Sequence, residues 1–402
     1  MNKDARTEKL YLTDPYTASF EATLLSCEND ESGRTFACLD KTYFYPESGG
    51  QPSDRGTLGG VGVVEVREDE AGVVRHYLAS PAAPGRVECR VDWKRRFDHM
   101  QQHTGQHILS RAFIDCGKLV TVSFHLGEEA CTIDLSGPAP DDEIVGKAER
   151  LANSIVWQDR PVAILTGEDA ETEVATLRKP LPTDVAEARL VQVEGFDTVG
   201  CCGTHVRRAG EIGVIKILKY EKTKGVYRVH FIAGRRAFDD FARKHDIVKN
   251  LANRFTTSIE AIEEKIEKLQ SENQRLRKDA QRVAKKLAAY EADRLHENAS
   301  RHADRLYVIE VLGDADEEYV RLLGSCLKAK KSTVSLLVSS GGLVVCNASD
   351  DLDVDISTAV VGRAKSLGGS GGGQGRFATA HLPASVQPAD FLRQVFEDVK
   401  NA

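Results

Sequence analysis

Apolar residues at 61, 63, 64 and 66 follow a Gly59-Gly60 pair. Such a β-branched run leaving a turn reads as a strand. Similar alternation, punctuated by Asn29-Asp30 and Ser32-Gly33, runs through residues 1–90. It predicts short strands joined by hairpins, hence a small β-barrel, with a sandwich as the alternative. From about residue 91 to 240 the pattern mixes periods. An opening helix carries "RRFDHMQQHTGQHILSRAF", and a longer one covers "DDEIVGKAERLANSIVWQD", with Asp141 and Asp142 near its start. The segment closes with an alternating pair around Thr223-Lys224-Gly225, so it predicts an α+β domain.

Residues 241–300 change period again. Ile259, Ile262, Ile266, Leu269, Asn273, Leu276, Ala280, Val283, Leu287 and Tyr290 fall at intervals of three and four, a heptad seam with Asn273 at an a position. Thr257 and Glu260 suggest a capping box at its start, and the helix would be about 50 Å long. The seam predicts a helical, coiled-coil-like arm that makes a homodimer, or else packs on its own chain. Residues 301–402 run strand, helix, strand, then a glycine run at 368–375 and a final helix, a small α/β domain.

Composition narrows the class. Of 402 residues, 41% are hydrophobic and 29% charged, which is globular. No apolar stretch reaches the length of about 18 residues that a membrane span needs, and the opening MNKDARTEKLYLTD lacks the charged, apolar and small-residue order expected of a leader. The expectation is a cytoplasmic protein with no membrane partner. Nine cysteines, scattered singly except for Cys201-Cys202, suit a reducing compartment and a metal site better than disulfides. With a net charge of −7, nucleic acid must be met by local basic patches.

His103 and His107 lie four apart on a predicted helix, the spacing that presents two imidazoles to one metal. The zinc-protease form of this motif has a Glu after the first His, and here that place is Thr104. Far away, Cys201 and His205 have Cys-x3-His spacing. Together the four make a borderline-soft donor set suited to Zn²⁺; each pair alone also reads as solvated or core side chains. No P-loop or dinucleotide fingerprint is present, and Asp98-His99-Met100 is only a near miss for Asp-His-His.

Four stretches then occur in a telling order: "TYFYPESGGQPSDRG" (42–56), "HTGQH" (103–107), "CCGTHVRRAGEIG" (201–213) and "YRVHFIAG" (227–234). They resemble the editing half of alanyl-tRNA synthetases, and most of all the long form of the free-standing AlaX family of alanyl-tRNA editing proteins. The resemblance covers barrel, editing domain, arm and C-terminal domain, without the synthetase's aminoacylation domain. It implies one Zn²⁺ per chain on His103, His107, Cys201 and His205, although Cys202 stands where the family usually has Gly. It also implies hydrolysis of seryl-tRNA(Ala), with glycyl-tRNA(Ala) a second candidate, in the service of translational fidelity. A zinc-stabilised tRNA-binding module without turnover is the alternative.

By the same resemblance, Gly49, Gly50 and Gln51 form a substrate-facing loop, with Gln51 positioning water as a catalytic residue. Alternation in "KLVTVSFHLG" puts Thr121 and Ser123 on one strand face, and Thr121 is similar to the family's serine-reading threonine. Lys216, Lys219, Lys222, Lys224 and Arg228, with Arg207 and Arg208 beside them, would meet the acceptor-stem phosphates. The glycine run and Arg376 would form a second, backbone-lined tRNA contact, although "GGGQGRFATA" departs from the family's continuation there.

Overall fold

The computed structural model describes residues 7–174, 177 and 188–400, so the opening residues 1–6, on which part of the leader reading falls, lie outside them. The chain separates into two compact units, 1–250 and 251–402. In the first, β1 (Glu8–Lys9) pairs in parallel with β4 (Lys41–Thr42) beside a closed barrel. The barrel is built from β2 (Ser19–Asn29), β3 (Thr35–Leu39), β5 (Gly56–Leu58), β6 (Val61–Glu68), β7 (Val74–Leu78) and β8 (Gly85–Val91), in the order β2-β3-β7-β6-β5-β8. This settles barrel against sandwich. The predicted hairpin joins β2 to β3, with Asp30 bonded to Arg34 and Gly33 in the left-handed region.

The helix α1 (Trp93–Gly117) follows directly, its first turn capped by the Asp92 carboxylate on the Arg95 N–H. Then come β9 (Val120–Leu126), β10 (Cys131–Ser136), α2 (Asp142–Trp157), β11 (Val162–Thr166), α3 (Glu168–Glu173), β12 (Arg189–Val193), β13 (Asp197–Gly200), β14 (Ile215–Thr223), β15 (Val226–Ala233) and α4 (Gly234–Phe255). One sheet runs β14-β15-β10-β9 and another β11-β12-β13. Cys131, Ile133 and Leu135 on β10 share a core with Met100, Ile108, Leu109 and Phe113 of α1.

A polar helix is normally a surface helix, yet every residue of α1 from His99 to Ser110 is buried. The polar side chains hold it there. Gln102 accepts from the Ala233 N–H and donates to the Ala233 carbonyl, both at 2.8 Å, and Gln101 donates to the Glu211 carbonyl at 2.8 Å. Arg96, 0% exposed, pairs with the equally buried Asp54 and donates to the Pro15 and Tyr43 carbonyls. Gly105 supplies close packing, since a Cβ there would sit 3.3 Å from Ala233 Cβ.

The second unit holds α5 (Ile262–Glu297), β16 (Ser300–His302), β17 (Arg305–Leu312), α6 (Glu317–Lys328), β18 (Thr333–Ser339), β19 (Leu343–Ala348), α7 (Ser357–Ser366), β20 (Ser370–Gln374), β21 (Phe377–His381) and α8 (Pro388–Lys400). Its sheet order is β16-β17-β18-β19-β21-β20, with only β17 and β18 parallel.

Two expectations are corrected here. The capping box does not form: α5 starts after Ala261 with no side-chain cap. Thr257 instead donates its N–H to the Ala252 carbonyl across the left-handed Thr256, a Schellman closure of the preceding helix. The glycine run is not a loop nest either; Gly371 to Gly373 lie in edge strand β20, where a Cβ on Gly373 would fall 2.3 Å from the Phe377 carbonyl. Arg376 donates to the carbonyls of Asp350 and, at 3.4 Å, Leu352. On α5 the stripe that packs on its own unit is Ala288, Ala292 and Leu295, while Leu276, Val283, Leu287 and Tyr290 of the seam stay exposed.

Candidate metal centre

His103 and His107 project from the buried middle of α1, and Cys201 and His205 from the turn after β13. Their ligand atoms all lie within 4.8 Å of one another. Cys201 Sγ is 3.4 Å from His103 Nε2 and 3.3 Å from His205 Nε2. A tetrahedral zinc with Zn–S of about 2.3 Å and Zn–N of about 2.0 Å spans S···N edges of about 3.5 Å, so the donor set and its spacing fit that ion. Cys201, and not the exposed Cys202, belongs to the cluster.

Each of two imidazoles has its outer nitrogen fixed. His103 Nδ1 donates to Gln51 Oε1 at 2.7 Å, which turns Nε2 and its lone pair inward. His205 Nδ1 is 3.1 Å from Thr104 Oγ1, which also accepts the Val206 N–H at 3.2 Å. Thr104, where the protease motif has its Glu, is therefore a partner of the opposite half of the site. Burial pushes the His103 pKa down to about 3, helped by the Arg189 charge. His205 falls well below its ordinary value through burial and then through the neighbouring His103, His107 and Arg189. Both imidazoles are neutral at physiological pH, as ligation requires.

Gln51 itself is 0% exposed. Its amide donates to Thr204 Oγ1 at 2.8 Å and accepts the Thr204 N–H at 3.1 Å as well as His103. Its side chain is turned onto the His103 ring and the Thr204 backbone. Gly49 and Gly50 make the tight Ser48–Gln51 turn with positive φ. The Gly50 carbonyl accepts from Leu126 at 3.1 Å, and a Cβ there would lie 3.0 Å from the Phe124 ring, which is tilted over His103. Gly203 is tighter, with a would-be Cβ 2.2 Å from His103 Cε1.

Thr121 and Ser123 do not share a face. The register between β9 and β10 slips between Asp134 and Leu135, and the bulge turns the two hydroxyls apart. Thr121 pairs with Leu135 and donates to Ser110 Oγ of α1 at 2.7 Å. Ser110 also accepts from Gln106 Nε2 at 2.7 Å, and Gln106 Oε1, buried, has no hydrogen-bond partner among the described residues. Ser123 instead donates to Asp134, which holds Arg228 at 2.7 and 2.8 Å.

Most of the basic residues on and beside the β14–β15 hairpin are already ion-paired. Lys216 pairs with Glu149, Lys219 with Glu221, Arg207 with Asp14 and Arg208 with Asp159; Lys222 and Lys224 have no ion pair among the described residues. Sequence reasoning missed Arg189. It is 8% exposed and bonds the carbonyls of Leu12 and Cys201, and its Nη2 has no hydrogen-bond partner among the described residues. Sequence reasoning also gave Thr104 no partner and missed Gln106, Ser110 and the Arg96–Asp54 pair; an unusually polar stretch at 99–110 inside a periodic helix was the available signal.

Among known families, the description "Threonyl and Alanyl tRNA synthetase second additional domain" matches residues 188–230. The alanyl-tRNA editing protein Aarsd1 of Mus musculus is 33% identical over 342 residues, 81% of this chain and 82% of that one. The alanyl-tRNA editing protein AlaX-L of Pyrococcus horikoshii is 32% identical over 66% of this chain and 71% of its own. The alanine–tRNA ligase of Ignicoccus hospitalis is 29% identical over 97% of this chain but only 43% of its own. Among the described residues no helix is long and apolar enough to cross a membrane. At this identity and coverage, the chain belongs to the family of alanyl-tRNA editing proteins.

Proposed function

We propose that the chain is a trans-acting, cytoplasmic aminoacyl-tRNA deacylase that hydrolyses the ester of mischarged seryl-tRNA(Ala), with glycyl-tRNA(Ala) as a second substrate. The observation that carries this reading is the cluster of His103, His107, Cys201 and His205 in a chain of this family. These four residues would hold one Zn²⁺, which when bound supplies a Lewis acid beside the scissile ester. Gln51 and Thr104 orient His103 and His205. Breaking an ester expels an alkoxide rather than an amine, so a proton-donating carboxylic acid at position 104 is dispensable.

Reading of serine is assigned to Thr121, Ser110 and Gln106, which lie on the helix side of β9. A site that bonds a hydroxyl disfavours alanine because its own polar groups go unpaired, and the spare Gln106 Oε1 supports that arrangement. The exposed seam of α5 supports a homodimer through the arm, which sedimentation equilibrium decides.

One feature favours the second reading, a tRNA-binding module without turnover: four protein ligands close a tetrahedral shell, the habit of structural zinc. Incubation with seryl-, glycyl- and alanyl-tRNA(Ala), with and without a chelator, separates the two. The deacylase reading expects chelator-sensitive release of serine and little release of alanine. Bound tRNA that stays charged on the zinc-loaded protein establishes the module instead.

A further inference from the structure

One turn before His103, the N-terminal half of α1 borders a cavity of about 660 Å³ that the metal centre does not use. Its walls come from four places: Arg55 just before β5, the start of α1, Glu128 between β9 and β10, and the start of α4. Trp93 and Phe97 form one aromatic wall, with ring centroids 5.5 Å apart. A second cavity of about 690 Å³ adjoins it through Gln101, Arg235 and Asp239, and adds Phe238, which is 66% exposed.

The charges are unevenly satisfied. Asp98 is taken by Arg236, Asp239 lies 3.5 Å from Arg235, and Asp92 caps α1. Arg55 and Lys94 are exposed, and among the described residues no acid pairs with either. Arg95 donates to the Ser53 carbonyl and reaches Glu128 only at 3.9 Å. The field is felt one turn on: His99, 2% exposed and lining the cavity, is driven down to about 3 by burial and then by Arg95, Arg236 and Arg96. Its Nδ1 has no hydrogen-bond partner among the described residues.

Exposed aromatic faces interleaved with unpaired cations are how proteins hold unpaired nucleic acid strands, by stacking and backbone attraction. A duplex would offer no free base faces to Trp93 or Phe238. We propose that this groove is a single-stranded RNA track that stacks the last bases of the tRNA's unpaired 3′ end and leads them along α1 to the ligand cluster. Trp93 and His103 are ten residues apart on one helix, about 15 Å along its axis, and His99 of the groove lies one turn before His103, although no residue of the cluster itself lines either cavity. The assignment rests on the deacylase reading for its direction, whereas binding of the strand does not need turnover.

The test uses the full-length chain and a fluorescent hexanucleotide RNA ending in a free 3′ hydroxyl, with a hairpin RNA lacking any overhang as comparison. Phe238→Ala, which removes an exposed ring, is expected to weaken hexanucleotide binding about five- to a hundredfold. Arg55→Glu/Lys94→Glu is expected to weaken it further and to flatten the dependence of log Kd on log salt by at least about one unit. Both changes should leave hairpin binding within twofold. Unchanged hexanucleotide affinity in both variants overturns the track, as does an equal loss for hairpin and hexanucleotide. If the variants behave as expected but wild type leaves seryl-tRNA(Ala) charged, the track stands and the deacylase reading falls.

Discussion

Thr104→Val isolates the most specific claim about the metal centre. The side chain is 0% exposed, and valine has nearly its outline, so the change acts through the lost oxygen and the donors it leaves unpaired. That oxygen serves His205 Nδ1 at 3.1 Å and the Val206 N–H at 3.2 Å. Leaving a buried donor unpaired costs about 1–3 kcal/mol, so two such donors put the metal-free protein at least about 2 kcal/mol below wild type in urea unfolding. Losing the partner of a ligating imidazole weakens metal about 10- to 100-fold, or about 1.4–2.8 kcal/mol. Competition against a chelator of known zinc affinity measures the second effect separately from the first. Thr104→Ser keeps the oxygen and should stay within about threefold of wild type. A valine variant that holds zinc as tightly as wild type would refute the assignment of Thr104 as the anchor of His205.

Three further perturbations probe other parts of the account. Arg96→Met strands the Asp54 carboxylate inside the protein and should cost about 3–5 kcal/mol in urea unfolding; adding Asp54→Leu should recover part of it, and a single variant within 1 kcal/mol of wild type, by the same principle, contradicts a structural role for the pair. Thr121→Val should erode the ratio of seryl- to alanyl-tRNA(Ala) deacylation; the same ratio in mutant and wild type rules out Thr121 as the reader of serine. His76 is buried in the barrel against Thr42, and its pKa is pushed down to about 4 by that burial. The unfolded chain therefore binds this proton first, and stability falls as pH drops from about 6.5 to about 4, by up to about 1.4 kcal/mol per pH unit. His76→Gln should flatten the unfolding free energy over that window relative to wild type under the same metal conditions, and superimposable slopes contradict the assignment.

That four residues could share a metal was readable from sequence because their spacings are fixed by helix and turn geometry: His103 with His107, and Cys201 with His205, needed only to be brought together, and the structure clusters them. What brings them together was not readable. Thr104, Gln101, Gln102 and Arg96 are ordinary surface residue types on most helices; only the tertiary setting shows that each bonds a distant backbone or ligand. Strict two-residue alternation failed at Thr121 and Ser123 because a bulge costs one residue of register and leaves no mark in the sequence. The glycine run misled for a related reason. Glycine signals loop freedom, but at β20 it permits close strand pairing against Ala378 and Ala380. Thr257 was assigned to the start of a helix when its backbone closes the preceding one, since Ser and Thr near a junction fit either side of it.

The central claim, that the buried His and Cys cluster is the working centre of an editing deacylase, is tested most directly by serine release from seryl-tRNA(Ala) measured against zinc bound per chain. As metal is removed and restored, the account predicts that release rises in proportion to occupancy, reaches its maximum at one zinc per chain, and is lost in Cys201→Ala but kept in Cys202→Ala. Release that persists at full rate in the folded, zinc-free protein, or that depends on Cys202 rather than Cys201, would contradict it.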